Sequence, residues 1–95
     1  IQEYRIDLTY YINRSDRSRA PAVNDRVQEA VQEFIKWQRE KIGRDINPDQ
    51  LRKLVISAGA KRVNINEPDF RRITRNSIAL PSGDAVVLYG GVEDD

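Results

Sequence analysis

Asn47-Pro48-Asp49-Gln50, with Leu51, Leu54, Val55, Ala58 and Gly59 behind it, leaves one part of this chain very little freedom. An asparagine at an N-cap accepts from the unpaired amides of the first helical turn, and a proline in the next position lacks an N–H that had no partner there. Gln50 stands three residues after the cap, the spacing of a capping box. Leu51, Leu54, Val55 and Ala58 recur at helical spacing, and Gly59 sits where a left-handed residue ends a helix without a Cβ penalty. Near the end of the chain, Gly90 and Gly91 follow Tyr89 and permit a turn or a close backbone approach. These residues, Asn47, Pro48, Gln50, Gly59, Gly90 and Gly91, specify shape and carry no reactive chemistry.

The other residue types narrow the function classes. There is no cysteine and no histidine, so disulfides, thiolates and the commonest general base and metal ligand are all lacking. Sixteen basic and 15 acidic residues give a formal net charge of +1, which argues against a dominant attraction to nucleic acid or anionic lipid. No apolar run approaches the ~18 residues of a membrane-spanning helix. Ninety-five residues suit a single domain covering 1–95. No methionine occurs, even at position 1, and a strand pattern opens at once, so we expect the C-terminal domain of a longer protein.

Tyr4, Ile6, Leu8, Tyr10 and Ile12 alternate with polar or aromatic residues, the period of a half-buried strand. Asn13 to Arg19 reads as a solvated loop, and Pro21 suits the first turn of a helix. Val27, Ala30, Val31, Phe34, Ile35, Trp37 and Ile42 make a wide apolar stripe for a main core helix that Gly43 ends. After the capped second helix, Lys61 to Asn66 resumes strand alternation until Pro68. Phe70 and Ile73 are expected to anchor a polar connector. Ser77 to Leu80 and Ala85 to Tyr89 read as a terminal hairpin, with Leu80-Pro81-Ser82-Gly83 as a type I turn.

The order is therefore β-α-α-β-β-β. The helical crossover allows the first two strands to be parallel, and the hairpin adds antiparallel pairing. The predicted fold is an α+β two-layer sandwich, a mixed sheet of three to four strands with both helices on one face. Ile6, Leu8, Val63, Ile65, Val86 and Leu88 would face the helices. Thr9, Tyr11, Val87 and Tyr89 would lie on the uncovered face, which is apolar enough to dock a protein, with Arg17, Arg19, Arg71 and Arg72 at its rim.

No carboxylate pair sits in a context that splits acid from base, so no catalytic residue is expected. Asp45, Asn47 and Asp49 alternate like calcium ligands, but the glycine and closing glutamate of such a loop are missing and Asn47 is needed as a cap; no metal or cofactor is expected. Glu93-Asp94-Asp95 reads as a solvated acidic segment. The two arginine clusters leave a nucleic-acid-binding module as the alternative function, with Tyr11 and Tyr89 to stack bases, although no strand carries the glycine-aromatic pattern of an RNA-recognition motif.

Taken together, Ile6-Asp7-Leu8-Thr9-Tyr10-Tyr11, Trp37, Arg44-Asp45-Ile46-Asn47-Pro48, Ala58-Gly59-Ala60-Lys61-Arg62-Val63 and Tyr89-Gly90-Gly91-Val92 resemble the C-terminal region of the baseplate J-like proteins of tailed bacteriophages and related contractile injection systems. The resemblance implies a structural building block of the tail baseplate wedge, made in the host bacterial cytoplasm and resident in the virion tail. Its implied partners are other wedge proteins and copies of its parent, not a small-molecule substrate or a membrane. Isolated, such a domain is expected to be a monomer or a weak dimer.

Overall fold

The computed structural model describes residues 1–95. Helix α1 spans Ala20–Arg39, with Pro21 in its first turn, and buries Val23, Val27, Ala30, Val31, Phe34 and Gln38 along one stripe. The segment before it, Arg14–Arg19, is a short 3-10 helix with no buried residue, so it is solvated as expected but regular. The helix stops at Arg39, short of Gly43, and Ile42 lies outside the stripe at 62% exposure.

Helix α2 spans Pro48–Ser57 and starts as its sequence dictates: the Asn47 side-chain oxygen accepts the Asp49 N–H at 3.0 Å. It ends in a Schellman motif. Gly59, at φ +118°, directs its N–H to Ile56 O, and the Ala60 N–H turns back to Val55 O. The capping box is closed by a different glutamine from the one predicted. Gln38 of α1, fully buried, accepts the Asn47 N–H at 3.4 Å and donates to the carbonyls of Arg44 and Asp45 at 3.1 and 2.9 Å. One side chain thus satisfies three backbone groups of the link between the helices.

Strands β1 (Gln2–Tyr4) and β2 (Asp7–Asn13) are the first alternating run, broken at Arg5-Ile6. Strands β4 (Ala79–Pro81) and β5 (Val86–Glu93) are the last, and β3 (Arg62–Glu67) lies between them in sequence. β4 pairs with β1 and β5 with β2, both in parallel. Ser82 N–H to Tyr4 O at 2.7 Å and Val86 N–H to Ile6 O at 2.9 Å carry the ladder across the break. The two pairs therefore form one ribbon, from which Gly83-Asp84-Ala85 bulges. β3 adds antiparallel to the other edge of β2, giving the order β3-β2-β5.

Several expectations about the strands are corrected. β2 and β3 are antiparallel, because the two helices between them do not act as a single crossover: α1 runs back along the sheet, α2 runs forward again, and β3 descends from Tyr11 towards Asp7. The last two strands form no hairpin. Pro81 is the final residue of β4, and the chain continues past it in the same direction to enter a second pairing with β2. Connector residues 68–78 carry the chain from Glu67 back to the start of β1. Ile73 packs on the core, but Phe70 is 53% exposed and anchors nothing. Backbone does that work: Ile46 and Arg71 exchange hydrogen bonds at 2.9 and 3.0 Å, and Asp45 Oδ1 accepts the Ile73 N–H at 3.2 Å.

Tyr4, Ile6, Leu8, Tyr10 and Ile12 all point from the ribbon into the core, where the Tyr4 ring meets Phe34 edge-to-face at 5.9 Å. Tyr10 reaches Asn24 of α1 with its hydroxyl at 2.8 Å. The result is an α+β fold with the helices on one face of a mixed three-stranded sheet, as predicted.

Candidate protein interface

The pairing register decides which residues the helix-free face displays. Leu8 lies beside Val87, Thr9 beside Leu88 and Tyr10 beside Tyr89. Paired residues share a face, so Val87 and Tyr89 stand on the helix side, not with Thr9 and Tyr11. Val87 packs on the core, and the Tyr89 ring lies 5.5 Å from that of Tyr10. Val86 and Leu88, expected inside, take the open face at 42% and 54% exposure. The β5 assignment was thus one residue out of phase, a slip that exchanges the two faces of a strand. The open face carries Thr9 and Tyr11 from the centre, Val86 and Leu88 from β5, and Arg62 and Asn64 from β3.

Gly90 and Gly91 hold the register change. Between the Tyr10–Tyr89 and Ile12–Val92 pairs, β5 has one residue more than β2, and Gly91 absorbs it at φ +107°. A Cβ at Gly90 would lie 2.3 Å from the Tyr11 ring, so only glycine lets that ring cross β5. The Arg62 guanidinium sits over the same ring, 3.9 Å from its centre.

Arg62 also grips Glu93 with a two-pronged contact, Nε to Oε1 at 2.8 Å and Nη2 to Oε2 at 2.7 Å, and donates to Asn64 at 3.2 Å. The Arg62 hydrogen bonds, helped by Lys61 at 3.4 Å, hold the Glu93 carboxyl down at about 2, and Glu93 in return raises the pKa of Arg62. Next in sequence, Asp94 meets Arg14 at 2.7 Å and gives its carbonyl to Lys61 at 2.8 Å; Asp95 accepts from Ser15 at 2.7 Å. Glu93-Asp94-Asp95, read from sequence as merely solvated, is clasped by residues from two other parts of the chain. Its signal was the facing Lys61-Arg62 pair at the start of a strand, which acquires meaning only once β3 and β5 are known to flank β2.

The basic clusters do not rim one patch. Arg17 and Arg19 follow the far end of β2, where Arg19 faces Asp16 at 4.0 Å. Arg71 donates to the Glu3 carbonyl at the opposite end of the ribbon, and Arg72 lies 5.9 Å from the Phe70 ring centre. Asp45 and Asn47 each spend a side-chain oxygen on a backbone amide.

The prepared features of this small α+β domain are an uncovered sheet face and a charged clasp. The sequence comparison is specific: residues 6–88 match the baseplate J-like protein C-terminal domain, and the chain belongs to that family. Its role is that of a structural part of the phage tail baseplate. No curated protein matches the chain.

Proposed function

We propose that this chain is the C-terminal domain of a baseplate wedge subunit and that it docks other baseplate proteins, or copies of its parent, through the helix-free face of its sheet. The family match over residues 6–88 carries this reading, and the exposure of Val86 and Leu88 beside Tyr11 and Thr9 supplies a surface for it. Buried apolar contacts would supply affinity at its centre, while Arg62 and Asn64 would select polar groups at its edge. Assembly would take place in the bacterial cytoplasm before the particle leaves the cell. The work is positional: the domain moves as a body within the ring and turns over no substrate.

The test is to tag the parent protein in its source cell, induce particle formation, purify from lysate with and without nuclease treatment and identify what co-purifies. Sheath, hub and other tail proteins are expected, and Val86→Asp with Leu88→Asp should reduce their recovery while the domain stays folded. Recovery of nuclease-sensitive nucleic acid without tail proteins would overturn the reading in favour of a nucleic-acid-binding module.

A further inference from the structure

We propose that the cleft beside β1 binds an extended segment of a partner protein carrying a lysine or arginine, which pairs its backbone with Arg5 and seats the basic side chain against Phe70 and the carboxylates of Glu3 and Asp69. The inference goes beyond the baseplate reading. The cleft lies past the Asp7–Glu67 pair where the three-stranded sheet ends, so the failure of either docking site leaves the other standing.

The cleft exists because a strand stops early. β3 runs beside β2 as far as Glu67, and its next residues would in register have faced Arg5 and Glu3. Pro68 has no N–H to give to a ladder, and the chain leaves the sheet there, to be fixed again at Arg71 by pairing with Ile46. Between β1 and this detour lies a cavity of about 350 Å³, bordered by Glu3 and Arg5 on the β1 side and by Asp69, Phe70 and Arg71 on the other. That volume is within the range of ligand sites.

The β1 wall is an unused edge. Gln2 donates to Ile78 O at 3.0 Å, Tyr4 O accepts from Ser82 and Ile6 O from Val86, so these three residues turn their backbone groups towards β4 and β5. Backbone groups alternate in direction along a strand, and those of Glu3 and Arg5 therefore face the cavity, where β1 has no neighbouring strand. The Arg71 guanidinium takes the Glu3 carbonyl. The Arg5 N–H and C=O have no backbone partner, nor have those of Asp69 and Phe70 across the gap. An extended residue beside Arg5 exchanges two hydrogen bonds with it, which is how peptides add to sheet edges.

The side chains state what the segment must carry. Arg5 faces Glu67 at 3.8 Å and Arg71 is held by a carbonyl, so neither base is left for an anion. Glu3 and Asp69 take part in no ion pair. Beside them the Phe70 ring is 53% exposed, and Arg72 reaches it only at 5.9 Å, the outer limit of a cation–π contact. The acidic residues here form no group able to hold a metal ion. The cation that suits them is one on a long side chain, whose apolar stem lies along the ring while its head meets the carboxylates.

The probe is a blocked pentapeptide with lysine at the centre of alternating valine and threonine, titrated to about 2 mM into the isotope-labelled 95-residue chain and followed by amide NMR. Saturable shifts at Arg5, Asp69 and Phe70 are expected, with the Arg5 N–H moving downfield as it gains an acceptor. The same peptide with a central glutamate should bind about tenfold more weakly, and Glu3→Gln with Asp69→Asn should weaken the lysine peptide about fivefold. A version N-methylated at every residue, which can donate no hydrogen bond, should not bind. No shifts at the highest concentration, shifts confined to Val86 and Leu88 on the helix-free face, equal affinity for the lysine and glutamate peptides, or undiminished binding of the methylated one each overturns the proposal. Should the paired substitution disturb the fold, the unaltered chain decides: affinity for the lysine peptide must fall as salt is raised, and binding indifferent to salt would sink the proposal.

Discussion

Tyr11 is the residue on which the open face turns. Its ring occupies the place of the missing Gly90 side chain and carries the Arg62 guanidinium above it. Gly90→Ala should therefore cost about 1–3 kcal/mol, the range for forcing extra volume into a filled site, seen as a lower denaturant midpoint. Tyr11→Ala removes the obstacle, so the two costs should not add; a double-mutant cycle with no coupling would show that the ring lies elsewhere. Glu93 supplies the second prediction at this scale. Its folded pKa, about 2, is below the ordinary 4.5, so its contacts stabilise fully above 4.5 and are lost as pH falls through about 2. The Glu93 carboxyl shift followed by NMR should titrate near the lower value, and Arg62→Gln should bring the midpoint back towards 4.5. A midpoint indifferent to Arg62 would mean that the two-pronged contact does not form in solution.

Among the elements, the helices owe their joint placement to Gln38. Replacing it by leucine keeps the volume and apolar stripe but leaves the Asn47 N–H and the Arg44 and Asp45 carbonyls without their partner. Gln38→Leu should cost about 2 kcal/mol with little change in the denaturant slope; a neutral result would show that water replaces the side chain there. What could be read from sequence divides along the same line. Asn47, Pro48 and Gly59 act on backbone within a few residues of themselves, so α2 was legible to both its ends. Gln38 falls in phase with Val31 and Phe34, which announces burial, but its three partners lie beyond the end of the helix and have no periodic signal. β5 was misphased for a related reason: its alternation allowed either face, and the choice was made by Gly91 and by pairing with a strand some eighty residues earlier. The antiparallel direction of β3 follows from the paths of the two helices, each of which reverses the chain; their number was legible, but the path each takes over the sheet is not recorded by alternation within a strand.

The molecule is long for its mass, with extents of 45 × 20 × 18 Å, because the β1–β2 and β4–β5 runs lie side by side along its whole length. Since they are parallel, Ile1 and Asp95 lie at opposite ends. Pulling on these two residues drives the strands past one another, and every hydrogen bond of the ribbon resists together. Pulling on Asn13 and Asp95, which lie at the same end, opens the bonds one after another. Single-molecule stretching should accordingly show a clearly higher rupture force for the first geometry than for the second, and equal forces would contradict the parallel ladder. The ribbon thus behaves as a tie rod, weak when its strands are pried apart from one end yet resistant to load along its length.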